Sequence, residues 1–454
     1  MIKKSPFGQT SFPMKSFKND CTFLSGYAFS SNDMGDSGYP VIKIKNIKNR
    51  RVSVDGSQFV DGSTITSKLD KYKLENLDIL IAMTGQGSVG RVGRLDLDSD
   101  ITAYLNQRVG KFIPNEINLN ADFLYYILSS EQYERVLFSA GSGSGQPNLS
   151  PTIIQSIEIP YPPYKLQCEI GKFLRLLDDK IKNNHLMNQT LEEMVRSIFK
   201  SWFVDFDPVH AKADGNVPTH MDAETAALFP SSFGDDGLPV GWKVLDIGSV
   251  VEIRKGLSYK GKFLSETGTN MINLGCFGFR GKFKPEKIKF YSGDYKDRHK
   301  IKPGDLIFAN TDMTQDRAIL CSPVIVPSYI NEDETIFSHH VSHVHFLETQ
   351  HPAFIEFLRH CMMTQNFRMR AEGYATGTTV LAVPKNIFNG YYVPIPSDKI
   401  LNVFFEFISG ISKKLEVNYI ENKTLSELRD TLLPKLMSGE IHVKDPEREV
   451  EAAV

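Results

Sequence analysis

The chain has 454 residues, 41% of them hydrophobic and 23% charged, with a net charge of −2 at pH 7. That length suits roughly two to four domains with ordinary cores, and the balanced charge gives no global field for or against nucleic acid. The N-terminal MIKKSPFGQTSFP lacks the apolar centre of a signal peptide, and no run of about 18 apolar residues occurs anywhere. The five cysteines (Cys21, Cys168, Cys276, Cys321, Cys361) are far apart and form no C-x-x-C pair, which argues against a disulfide frame or a zinc knuckle. A soluble, cytoplasmic protein is expected.

In chain order, the first apolar β-rich runs are YPVIKIKNI (39–47) and DILIAM (78–83). Between residues 41 and 51 lie Lys43, Lys45, Lys48, Arg50 and Arg51 with no acid. Such a stretch can follow a phosphate backbone, although a solvated strand face has the same composition. Gln86 and Arg91 follow the second run in GQGSVGR. A helical segment is expected over 121–140, then a small-residue loop, then a strand over 156–162 that ends in Tyr161-Pro162-Pro163-Tyr164. That tetrapeptide is one residue away from the Asn/Asp-Pro-Pro-Tyr motif of amino-methyltransferases. Tyr161, however, lacks the carboxamide or carboxylate that accepts from the target amine.

Next comes a long helical pattern. Ile170, Leu174, Leu177, Ile181, Asn184, Asn188, Leu191, Val195, Ile198 and Trp202 step by four and three, a heptad seam with two asparagines at its middle. The stretch 205–243 is rich in Pro, Gly, Asp and Ala and reads as a linker with one helical turn at DAETAALF. Beyond it, β-rich runs recur at 305–310, 318–327 and 338–347, with a helical segment over 352–371. Residues 279–289 carry Arg280, Lys282, Lys284, Lys287 and Lys289 against Glu286, and Thr314, Gln315 and Arg317 follow a strand in TDMTQDR. Arg and Gln are the side chains that read guanine and adenine edges bidentately. The last helix gives the seam Phe404, Ile408, Ile411, Leu415, Asn418, Asn422, Leu425, Arg429, Leu432 and Leu436, with Pro434 expected to end it. The tail VKDPEREVEAAV reads as frayed.

Three stretches recur in the same order. LDDKIKNNHLMNQTLEE resembles ISKKLEVNYIENKTLSE, LDILIAMTG resembles GDLIFANTD, and NLSPTIIQSIEIPYPP resembles VLAVPKNIFNGYYVPIP. The chain is therefore expected to hold two copies of one unit, a globular region followed by a long helix. If the helices pair antiparallel, Asn184 faces Asn422 and Asn188 faces Asn418, which satisfies each amide and penalises slipped registers.

Other signals are weaker. His339, His343 and His345 would share a strand face, but no carboxylate or cysteine close in sequence completes a metal set. The acids of LDDKIK would lie on the solvated side of the seam, and GSGSG lacks the Lys-Ser/Thr of a phosphate loop.

Taken together, IEIPYPPYKLQCEIGKFLRLLDDKIKNNHLMNQTLEEMVRSIFKSWFVDFDPV, the junction AALFPSSFGDDGLPVGWKV and the terminal ENKTLSELRDTLLPKLMSGEI resemble the specificity (S) subunit of type I restriction–modification systems, a phage-defence machinery. The first copy lacks an equivalent of GLPVGWKV near its start. The resemblance implies an α/β (α+β) fold: two mixed α/β target recognition domains alternating with two long helices that pair as an antiparallel coiled coil, in a pseudo-twofold internal repeat. The corresponding segments are recognition domain 1 (1–159), central spacer helix (160–204), linker (205–238), recognition domain 2 (239–396), C-terminal spacer helix (397–440) and tail (441–454). It further implies a non-catalytic subunit that binds double-stranded DNA with a bipartite site, two methyltransferase (M) subunits and restriction (R) subunits. No cofactor is expected in this chain: S-adenosylmethionine belongs to the M subunit, ATP and Mg to the R subunit. The competing reading is a self-contained methyltransferase or nuclease with a fused recognition module.

Overall fold

The computed structural model describes residues 3–142, 147–314, 317–330 and 335–443. The chain forms two compact units, one comprising Met1–His185 with Tyr419–Val454, the other Leu186–Asn418.

The first unit is mixed α/β. A six-stranded sheet runs in the order Cys21–Ser25, Val109–Pro114, Ile79–Ala82, Val92–Leu95, Arg51–Val52, Ile47–Lys48. A five-stranded sheet contains Ala103–Leu105 paired parallel to Tyr39–Ile42. Ile79–Ala82 is buried throughout, and its side chains alternate between two cores. Ile79 and Ile81 join the core built with the helices, and Leu80 and Ala82 the core that also holds Ile42 and Leu105. The expected single strand over 39–47 is broken by Asn46. This residue is 6% exposed; its Oδ1 accepts from Lys43 N at 3.0 Å and its Nδ2 donates to Ser53 O at 2.9 Å. Those bonds close a 3-10 turn over Ile44–Asn46. The expected helix over 121–140 is two helices, Ala121–Leu128 and Glu131–Gly141, because Ser130 caps the second by accepting from Tyr133 N.

The tetrapeptide Tyr161-Pro162-Pro163-Tyr164 has a structural job. Glu158–Pro160 pairs antiparallel with Met14–Ser16, and Tyr161 Oη donates to Asp20 at 2.6 Å. Pro163 O then accepts from Leu166 N and Gln167 N at the start of the helix Tyr164–Phe203. Gln167, fully buried, bonds Pro162 O, Asn118 O and Asn120 N and so ties the helix start to the unit.

The second unit holds a four-stranded sheet ordered Val251–Lys255, Val341–Phe346, Leu306–Ala309, Pro323–Ile325 and another containing Thr269–Ile272 parallel to Thr335–Phe337. Leu306 and Phe308 enter one core, Ile307 and Ala309 another. The segment expected as one helix over 352–371 is again two, Pro352–Met363 and Gln365–Tyr374, with Thr364 as the cap between them. The junction after residue 204 is not a bare linker. It forms helices Asp207–Ala213 and Ala223–Leu228, and buries Val209 and Phe229. Lys212 Nζ donates to the carbonyls of Ala226 and Phe229, closing the backbone ends that a Pro/Gly-rich composition alone would leave to solvent.

The long helices are Tyr164–Phe203 and Asp398–Ser438. Pro434 does not end the second one, which continues for another turn. Leu432, Leu433, Leu436 and Met437 are each at most 5% exposed, and their burial outweighs the hydrogen bond that proline removes. In the first unit Asp178 meets Arg429 and Asn184 meets Asn422. In the second, Asn188 meets Asn418, and Trp202 meets Phe404 at 6.1 Å. In both units the partner number falls as the first rises, so the stretches within each unit run antiparallel.

Candidate nucleic-acid interface

In the first unit three loops gather at the point where the chain crosses between its sheets. Lys43 and Lys45 sit on the Ile44–Asn46 turn. Gln86 is exposed at the tip of the loop that follows Ile79–Ala82. Gly85 of that loop has φ +106° and lies so close to Ile44 that an added Cβ would stand 3.1 Å from its Cδ1. Met83 N donates to Arg108 O at 2.9 Å, which fixes the turn 106–108 beside it. Lys43 Nζ donates to Gln58 Oε1. Burial, then the charges of Lys45 and Arg108, lower the Lys43 pKa. A cleft of about 390 Å³ opens here, lined by Lys43, Gln58, Asn106, Gln107 and Arg108 among others.

Arg51 is exposed on its short strand. Arg91 stands 3.9 Å from Glu134. Arg50 points elsewhere: φ is +63° and its guanidinium pairs with Asp430 at 2.7 Å, so a neighbouring carboxylate already occupies it. Gln107 and Arg108 were missed in the sequence; the signal was the polar Asn-Gln-Arg triplet following a buried strand.

In the second unit Arg280 adopts φ +55° and lies over the Phe279 ring at 4.8 Å. Arg368, another residue missed, covers the same ring at 5.5 Å and donates to Arg317 O at 3.2 Å. Phe279 is 51% exposed, so an aromatic face with two guanidinium groups over it meets solvent. Lys282 is exposed and Lys284 half-buried. Arg317 stands 3.8 Å from Glu372. Thr314 is exposed, and its N and Oγ1 each reach Asp312 Oδ1 at 2.6 Å. Gln315 lies outside the described residues. Asp312 is fully buried, and its Oδ2 accepts from Ile319 N at 2.7 Å, so one carboxylate holds both Thr314 and Ile319.

Two expectations are corrected. His339 does not share a strand face with His343 and His345; it lies in the turn before Val341–Phe346, because Val341 N closes back on Ser338 O. Among the described residues no group of three or more His, Cys, Asp or Glu could hold a metal ion. Nor do both acids of LDDKIK face solvent. Asp178 accepts from Tyr126 Oη at 2.8 Å and from Arg429 at 2.5 Å, which explains the lone basic residue on the terminal seam.

At mid-helix, Asn184 Nδ2 donates to Asn422 Oδ1 at 2.9 Å and to Glu421 Oε2 at 2.7 Å, and Lys180 stands 3.1 Å from Glu421. In the second unit Asn418 Nδ2 donates to Asn188 Oδ1 at 2.7 Å.

Each unit thus carries basic side chains on loops of a mixed α/β scaffold, and the second adds an exposed aromatic ring among them. Residues 19–193 match the family described as type I restriction modification DNA specificity domain. The chain is 28% identical over 432 residues to the type I restriction enzyme HindI specificity subunit of Haemophilus influenzae, covering 82% of this chain and 88% of that one. It is 24% identical to the MjaIX specificity subunit of Methanocaldococcus jannaschii, over 75% of this chain and 73% of the relative. In fold it is similar to the type I restriction–modification S subunit from M. genitalium, with TM-score 0.51, 14% identity and 94% and 96% of the two chains covered. The chain is thus similar, in its first part to that family and along most of its length to specificity subunits of type I restriction enzymes. Among the described residues no helix is long and apolar enough to cross a membrane.

Proposed function

We propose that each unit reads one half of a bipartite double-stranded DNA site, and that the long helices pair as an antiparallel coiled coil that sets the gap between the halves. The observation that carries this reading is the reversed pairing of helix stretches inside each unit, with Asn184 on Asn422 in one and Asn188 on Asn418 in the other. A buried amide without a partner costs about 1–3 kcal/mol, so these pairs favour one register over its neighbours. The matching order of strand, turn and capped helix pair in the two units supports a pseudo-twofold internal repeat.

Lys43, Lys45, Arg51, Gln86 and Arg91 in the first unit, and Arg280, Lys282, Lys284, Thr314, Gln315 and Arg317 in the second, are the assigned DNA contacts. Arg50 is assigned to the helix contact with Asp430 instead. The helices dock two methyltransferase subunits, which carry S-adenosylmethionine; restriction subunits bring ATP and Mg. A 40-residue helix spans about 60 Å, long enough to separate two readers by one or more DNA turns.

The test is methylome sequencing of cells that express this chain with its cognate methyltransferase subunit. A split motif with a fixed gap is expected. Removing a matched number of residues from both long helices should shorten that gap and leave both half-sites unchanged. Altered half-sites with an unchanged gap would refute the spacer role.

A further inference from the structure

We infer that the two-residue turn joining the sheets of each unit, Gln107-Arg108 in the first and His339-His340 in the second, is a base-reading element of its half-site. The inference rests on the DNA-recognition reading above and adds residues to it.

The two turns are held by the same backbone bonds. In the first unit Tyr27 N donates to Leu105 O, Gln107 N to Tyr27 O, Asn106 N to Ile42 O and Met83 N to Arg108 O, at 2.8–3.2 Å. In the second, Leu257 N donates to Phe337 O, His339 N to Leu257 O, Ser338 N to Ile272 O and Asn310 N to His340 O, at 2.8–3.0 Å. The same glycine stands beneath each. A Cβ on Gly26 would lie 2.1 Å from Asn106 O, and one on Gly256 would lie 2.3 Å from Ser338 O. The backbone is therefore the same while the side chains differ. A rigid scaffold that presents different polar side chains is what two different half-sites require.

The side chains suit the task. Gln107 and Arg108 are exposed, and no ion pair below 4 Å is formed by Arg108 among the described residues. They line the cleft with Lys43, Gln58, Asn106 and Phe29. Lys43 and Lys45 can anchor a phosphate at its edge while Arg108 offers a fork to guanine and Gln107 a bidentate pair to adenine. In the second unit His339 and His340 are half-buried with their rings 3.9 Å apart; His340 Nδ1 bonds Thr311 Oγ1 at 2.9 Å and His339 Nδ1 is buried without a hydrogen-bond partner among the described residues, so the Nε2 edges are the ones left to offer to a base.

The test compares wild type, Gln107→Ala, Arg108→Ala and Arg108→Lys, each co-expressed with the cognate methyltransferase subunit. Methylomes and binding of purified complexes to duplexes varied one base pair at a time are the readouts. A wild-type complex that methylates a split motif establishes the underlying reading. Both Arg108 variants are then expected to lose about tenfold or more of the discrimination at one position of one half-site, with the gap and other half-site unchanged. Lysine keeps the charge but not the fork, so it separates base reading from phosphate contact. An Arg108→Lys complex indistinguishable from wild type, or a uniform loss of binding with an unchanged motif, would overturn the inference. So would Ala variants that change nothing. A wild-type complex with no split motif would overturn both readings at once.

Discussion

Replacing Asn184 by leucine removes the donor that serves both Asn422 Oδ1 and Glu421 Oε2. Glu421 keeps Lys180 at 3.1 Å. Asn422, 7% exposed, is left with a buried carbonyl that water reaches poorly. Such an orphan costs about 1–3 kcal/mol, and the apolar area gained by leucine offsets part of it, for a net loss of roughly 1–2 kcal/mol. Replacing Asn422 by leucine as well removes the orphan. The double variant should then recover most of the loss, which is a coupling of about 1–2 kcal/mol between neighbours. Urea denaturation of the four proteins measures it, provided the slope against denaturant is unchanged. Additive single losses would refute the energetic argument. The double variant also loses the polar penalty on slipped registers, so its complex should methylate motifs of mixed gap length. A single gap length in the double variant would refute the register role even if the coupling were found.

Buried groups give two more testable outcomes. Burial raises the Asp20 pKa, but the bonds from Lys15, Tyr161 and Asn118 outweigh it and hold the carboxyl at about 2. Because the folded pKa is depressed, Asp20 contributes about 2 kcal/mol that is fully present above pH ~4 and is lost as pH falls towards 2. Denaturation of wild type and Asp20→Asn at stepped pH should therefore show a gap near pH 5 that closes towards pH 2, and a constant gap would exclude this linkage. Asp312→Ala orphans the Ile319 amide and frees Thr314, with a local cost of roughly 1–3 kcal/mol. Binding to duplexes varied within each half-site should weaken for one half only; equal loss at both would mean a global effect.

Much of the frame is legible in the sequence, and the reasons are local. The heptad spacing marks which side chains share a helix face, and reversing one seam already brings Asn184 to Asn422. Apolar runs locate the central strands Ile79–Ala82 and Leu306–Ala309, since each is buried on both faces. Breaks inside elements are harder to read. Ser129 ends one helix and Ser130 caps the next, Thr364 does both in the second unit, and composition around them differs little from a continuous helix. The junction after residue 204 reads as a linker because its Pro and Gly content hides the packing of Val209 and Phe229.

By itself the sequence determined the features set by order and period along the chain: the alternation of globular and helical stretches, the seams, and the asparagines at their middles. Tertiary structure decided which polar groups are committed to the fold and which meet solvent. Lys43 and Arg50 look alike as basic residues of one short stretch. A side-chain-closed turn sets Lys43 at a cleft beside Arg108, while a left-handed backbone turns Arg50 onto Asp430 of the terminal helix. The same holds for Tyr161, whose hydroxyl finds Asp20 from the far end of the domain. Such pairings join residues distant in sequence, and their geometry exists only once the sheets have closed.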